Sequence, residues 1–99
     1  MYNRMGNRRG AAWTEVELGV LDAEQGRLGS AAGGFERARR TYEQIGDRSG
    51  IARYFLESGR LALIRGEAGE ARSCLEEALS RYTDLGAAQV AEVRRLLDR

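Results

Sequence analysis

Lysine, histidine and proline are all absent from this chain, and cysteine occurs once. The absence of His removes the commonest general base and the commonest metal ligand. The lone Cys74 excludes an internal disulfide and points to a reducing compartment. With no Lys, every one of the 16 basic residues is Arg, set against 15 acidic residues for a formal charge of +1. That balance lacks the basic excess of a nucleic-acid binder and offers no polybasic membrane patch. The exclusive use of Arg reads mainly as genomic composition bias and only weakly as a recognition surface. No apolar run approaches the roughly 20 residues that cross a bilayer, and the N-terminus has no signal-peptide core. The expected location is therefore cytoplasmic. No P-loop, dinucleotide fingerprint or zinc spacing is present, so no cofactor, metal or catalytic activity is expected.

What is present is a repeat. Laid on residues 46–85, residues 6–45 match at thirteen of forty positions, among them Gly6/Gly46, Gly10/Gly50, Glu17/Glu57, Gly19/Gly59, Leu21/Leu61, Gly26/Gly66, Ala31/Ala71, Ala38/Ala78 and Tyr42/Tyr82. A fixed period of this length marks a stacked-repeat architecture. The period extends past both ends: Tyr2, Met5 and Gly6 match Tyr42, Ile45 and Gly46, then Tyr82, Leu85 and Gly86. Residues 1–5 are accordingly expected to be the tail of a preceding helix, 6–45 and 46–85 two repeats, and 86–99 a C-terminal capping helix. The chain as a whole reads as a single domain, a segment of a longer array.

Each unit reads as two helices. Gly26 and Gly66 are placed to end the first helix in a left-handed C′ position, and Gly46 and Gly86 the second. Asn7 and Asp47 follow boundary glycines and are candidate N-caps; Ala87 takes that place in the third copy, which predicts a less sharply started helix. The second helices carry one apolar stripe each, Ala31, Phe35, Ala38, Tyr42 and Ala71, Leu75, Ala78, Tyr82, spaced by three and four residues. The first helices are apolar more broadly, as a helix between two neighbours must be. The predicted fold is all-α, a superhelix of stacked antiparallel helix hairpins.

The small residues at Gly19, Gly26, Ala31 and Ala38, with Phe35 between, and at Gly59, Gly66, Ala71 and Ala78, with Leu75 between, resemble the tetratricopeptide repeat. The resemblance covers nearly the whole chain. It departs from that family in its period, 40 where 34 is usual, and in having no Pro. "GNRRG" and "GDRSG" are similar to the boundary of longer variants found in bacterial regulator and signalling proteins. The resemblance implies a protein-binding scaffold, within a larger bacterial regulatory protein, whose first helices line a concave groove for a peptide or partner segment. Carried onto this chain, the groove residues are Trp13, Glu17, Val20 and Glu24, with Val16, in the first unit. In the second they are Arg53, Leu56, Glu57 and Arg60, with Ile64.

Those residues carry two readings each. Arg53, Glu57 and Arg60 lie one turn apart and could hold a ligand carboxylate by charge-assisted hydrogen bonds, or simply pair along their own helix. Glu17 and Glu57 could meet Arg residues of a ligand or of the neighbouring unit. Trp13 is either a binding anchor or a cover for an adjoining repeat. Cys74 reads as a small core residue, and the basic run Arg37–Arg40 as a solvated helix face. The expected partner is a protein or peptide, with no nucleic acid and no membrane. The competing expectation is a structural spacer that self-associates as a homodimer through apolar end surfaces: Tyr2, Met5 and Trp13 at one end, Val90, Val93, Leu96 and Leu97 at the other.

Overall fold

Among the described residues, five helices follow one another through four near-identical turns: α1 (Arg4–Glu24), α2 (Leu28–Ile45), α3 (Arg48–Ile64), α4 (Ala68–Leu85) and α5 (Gln89–Leu97). The structure is a computed structural model and describes residues 4–98, without the side chain of Met5. Among the described residues there is no strand, and the fold is all-α.

The turns are made by the four glycines at 26, 46, 66 and 86. They are the only described residues with positive φ, between 65° and 82°. A side chain is strained in that region, and glycine is not. Each turn closes the same way. The glycine N–H donates to a carbonyl three residues back and the next N–H to one five back, as in Asp47 N–H to Tyr42 O at 2.9 Å and Ala87 N–H to Tyr82 O at 3.0 Å. This double bond pattern satisfies carbonyls that a helix end otherwise leaves open. At the middle turn, Asp47 also caps α3, its Oδ1 accepting from Gly50 N–H at 3.0 Å. The turn before α5 has no such cap. Ala88 precedes the helix with αR backbone angles and no side-chain bond, and α5 begins only at Gln89.

One expected boundary does not exist. Helix α1 runs from Arg4 through Gly6 and Asn7 to Glu24 without a break, so Asn7 caps nothing and no turn separates residues 4–5 from the first unit. A glycine inside a helix costs only about 1 kcal/mol relative to Ala. Ending a helix takes the left-handed turn as well, and Gly6 does not make one. The expectations on Tyr2 and on the Met5 side chain fall outside what is described.

Consecutive helices pack as antiparallel pairs, α1 on α2 and α3 on α4. Small residues set the approach. A Cβ on Gly19 would come within 2.6 Å of the Phe35 ring, and one on Gly59 within 2.7 Å of Leu75. The predicted stripes form the core. One cluster gathers Ala12, Val16, Ala31, Phe35, Ala38 and Tyr42, and it also takes Leu61 from α3. The other gathers Ala52, Leu56, Leu75, Ala78, Tyr82 and Val93. Leu61 thus ties the second pair to the first, and Val93 ties α5 to the second. The C-terminal end is therefore not the exposed surface expected from the sequence. Val93 is fully buried, and Val90, Leu96 and Leu97 pack half-buried on the second cluster. Steps of three and four residues put this apolar set on one side of α5, which lets nine residues cover α4.

The helices form two layers. α1 and α3 touch directly, and Arg60 of α3 reaches Glu92 of α5. On the other side, a cleft of about 630 Å³ floored by α3 parts α2 from α4. Closer approach on the α1/α3 side makes it the inner face of the stack.

Candidate functional site

The inner face is organised by a row of charges. Trp13, Glu17, Val20 and Glu24 lie on one stripe of α1, at steps of four, three and four. On α3 the corresponding stripe holds Arg53, Glu57, Arg60 and Ile64. Between the helices, Arg53 Nη2 lies 2.5 Å from Glu17 Oε1. Arg53 Nε lies 3.3 Å from Glu57 Oε2, and Arg60 Nη1 lies 3.3 Å from the same oxygen. Arg60 also pairs with Glu92 of α5. The result is an alternating chain Glu17–Arg53–Glu57–Arg60–Glu92 across three helices. Burial of Arg53 opposes its charge, but Glu17 and Glu57 outweigh that and hold its pKa above the ordinary guanidinium value.

Glu57 stands at the centre with 5% of its surface exposed. A carboxylate there is tolerable only because both of its oxygens are held by Arg. Removing the partners of a buried charge typically costs about 3–5 kcal/mol. Glu57 therefore has a structural role, its carboxylate taken up by Arg53 and Arg60 and only its edge reaching the inner face. Leu56 and Val16 are corrected as groove residues, being core residues at 3% and 0% exposure. They belong to the stripes Ala52–Leu56–Gly59 and Ala12–Val16–Gly19, which face the partner helix of the same pair. The carboxylate-clamp reading of Arg53 and Arg60 also fails, because each guanidinium already has two carboxylates. The inter-unit reading of Glu17 is the one the geometry supports.

Two depressions flank the charge row. Near the start of α1 and α3, a hollow of about 490 Å³ is bordered by Trp13, Tyr42, Gly50 and Arg53, with the ion pair Arg9–Asp47 at 2.7 Å on its edge. Trp13 is 54% exposed. Near the helix ends, a slot of about 250 Å³ is lined by Val20, Ala23, Phe35, Leu61 and Ile64, with Glu24, Glu57 and Arg60 completing its wall. Ile64 is 57% exposed. Glu24 is exposed and makes no ion pair among the described residues. Phe35 and Leu61 at the base of the slot were legible only as core. Glu92 was not foreseen at all, since it lies thirty-two residues from Arg60, a spacing the forty-residue period does not carry.

The outer cleft shows less chemistry. Tyr54 stacks edge-on against Phe55 at 5.0 Å, lies under Arg39 and donates to Glu36 at 3.3 Å. Cys74 is half-buried, its thiol 3.9 Å from Glu70. Burial, then the nearby Glu70 carboxylate, push the thiol pKa up, the opposite of an activated nucleophile. The run Arg37–Arg40 is neutralised locally: Arg37 pairs with Glu15 at 3.0 Å, Arg39 with Glu36 and Glu43, and Arg40 with Glu36 at 3.8 Å. Among the described residues, no group of three His, Cys, Asp or Glu side chains could hold a metal ion. No described helix is long and apolar enough to cross a membrane. No protein-family model matches the chain, and no curated protein and no solved structure is significantly similar to it.

Proposed function

We propose that the chain is a protein-interaction module of the tetratricopeptide kind, which binds a peptide or partner segment along its inner face and catalyses nothing itself. The observation that carries this reading is the pair of half-exposed anchors on a face that α1 and α3 share, Trp13 beside a hollow of mixed polar and aromatic lining and Ile64 beside a mainly apolar slot. Large apolar side chains at the mouth of a hollow are what binding hot spots are made of. The intervening charge row is already satisfied and gives that face a fixed shape. A role inside a larger bacterial regulator, relaying partner binding to another domain, is part of the same proposal.

The test is selection of peptides from a displayed library of random dodecamers. We expect binders whose affinity falls at least tenfold in the double variant Trp13→Ala, Ile64→Ser and is unchanged in Arg40→Ala on the outer face. Exposed substitutions of this kind shift stability by only about 0.5 kcal/mol, so folding is retained. A selection that yields no binder, or binders indifferent to the double variant, removes the proposal.

A second reading rests on a separate observation. Leu18 and Leu21 of α1 are more than half exposed on the side away from α2, a face that invites self-association. Sedimentation over a wide concentration range checks it. A concentration-dependent dimer that Leu21→Glu returns to monomer is the expected result, and a clean monomer throughout rejects it.

A further inference from the structure

We infer that the inner face takes a cationic peptide segment, with an aliphatic side chain seated in the slot between α1 and α3 and an Arg or Lys directed to Glu24. This rests on the groove reading and adds the chemistry of the ligand. The slot, at about 250 Å³, is below the roughly 300–1,000 Å³ of small-molecule sites. It is sized for a side chain, and Val20, Ala23, Phe35, Leu61 and Ile64 make most of its wall apolar, beside Glu24, Glu57 and Arg60.

The sign of the partner follows from which charges are free. The inner face carries Glu17, Glu24, Asp47, Glu57 and Glu92 against Arg9, Arg53 and Arg60. Among these described residues, five carboxylates and three guanidiniums sum to −2, on a chain whose total is +1. Every one of those cations is engaged: Arg9 by Asp47, Arg53 by Glu17 and Glu57, Arg60 by Glu57 and Glu92. An acidic ligand would have to break that row to find a partner. Glu24, in contrast, has no charged partner among the described residues and stands on the rim of the slot. A cation beside the seated side chain gains a partner there without displacing one. Complementary charge of this kind steers encounter and sets specificity more than it adds affinity.

The reach of the ligand is also set. Trp13 and Glu24 are eleven residues apart on α1 (24 − 13), about 16 Å at 1.5 Å per residue. An extended segment needs about five residues to cover that distance, so the ligand residue that meets Trp13 is expected about five positions from the cation that meets Glu24.

The dodecamer selection described above tests this directly. We expect enrichment of sequences that pair an aliphatic residue with Arg or Lys. The best of them, made synthetically, should bind Glu24→Lys about 3- to 10-fold more weakly than the parent, as loss and reversal of an exposed pair predict. Enrichment of Asp and Glu, or an affinity that Glu24→Lys leaves within twofold, overturns the inference while the groove reading stands. A selection without binders overturns both.

Discussion

The first and second helix pairs are near-copies, yet equivalent residues live in different surroundings. Leu21 is 51% exposed, while Leu61, its counterpart, is 5% exposed. A Cβ on Gly10 would meet nothing within 4 Å, but one on Gly50 would run into the Tyr42 ring. Glu17 sits on a half-open surface and Glu57 in a buried one. In each case the cause is the neighbour. α3 has α2 against its flank, and the matching flank of α1 has no helix against it among the described residues. Burial in this stack is thus a property of position along the array, and the residue type alone does not fix it.

The largest expected contrast is at the two leucines. Leu61→Ala should cost about 2–5 kcal/mol, the usual range for a truncated core leucine, whereas Leu21→Ala should stay within about 0.5 kcal/mol. Urea unfolding of both variants measures the difference. Equal costs would mean that α1 is covered in solution.

Next comes alkaline titration. Burial pushes the Tyr82 hydroxyl up from 10.0 to about 12, and burial followed by Asp47 raises Tyr42 as well. A raised folded-state pKa favours the protonated form in the native protein. Its contribution is complete below pH 10 and is lost as pH climbs toward 12. About 2–3 kcal/mol should disappear over that window, at 1.36 kcal/mol per unit. Tyr82→Phe should flatten the limb more than Tyr42→Phe, as followed by thermal melts between pH 8 and 12.

A smaller effect is expected at the glycines. Gly50→Ala forces the ring of Tyr42 aside and should cost about 1–3 kcal/mol, as overpacked sites do. Gly10→Ala has open space in a helix interior and should gain about 0.5–1 kcal/mol. Opposite signs in the two units would sharpen the comparison, and the same sign would break it.

The smallest contrast lies in the charge row. Glu57→Gln leaves Arg53 and Arg60 short of a buried partner and should cost about 1–2 kcal/mol. Glu17→Gln removes an exposed pair worth about 0.2–1 kcal/mol. Raising salt should narrow the second cost and leave the first nearly intact.

Local chemistry was legible in the sequence. Glycines at 26, 46, 66 and 86 ended helices where the period put them, because the left-handed turn is a demand of the backbone alone. The stripes of α2 and α4 lay where three- and four-residue steps placed them. Asp47 capped α3 through a bond three residues long. Failures came where the answer depended on distant residues. Gly6 looks like Gly46 but has no turn to complete. Leu56 was assigned to the groove by analogy, and the packing of α3 against α4 took it inside. Arg53 and Arg60 look available for a ligand because Glu17 and Glu92, which complete their pairing, sit on other helices.

The sequence by itself determined the helix ends at the four left-handed glycines and the apolar stripes of α2 and α4, since these follow from backbone geometry and bonds spanning a few residues. Tertiary structure alone decided which carboxylate is buried, which leucine is covered and which charge is left free on the inner face. Those outcomes depend on desolvation and on partners from other helices, and neither is encoded in the spacing along any one of them.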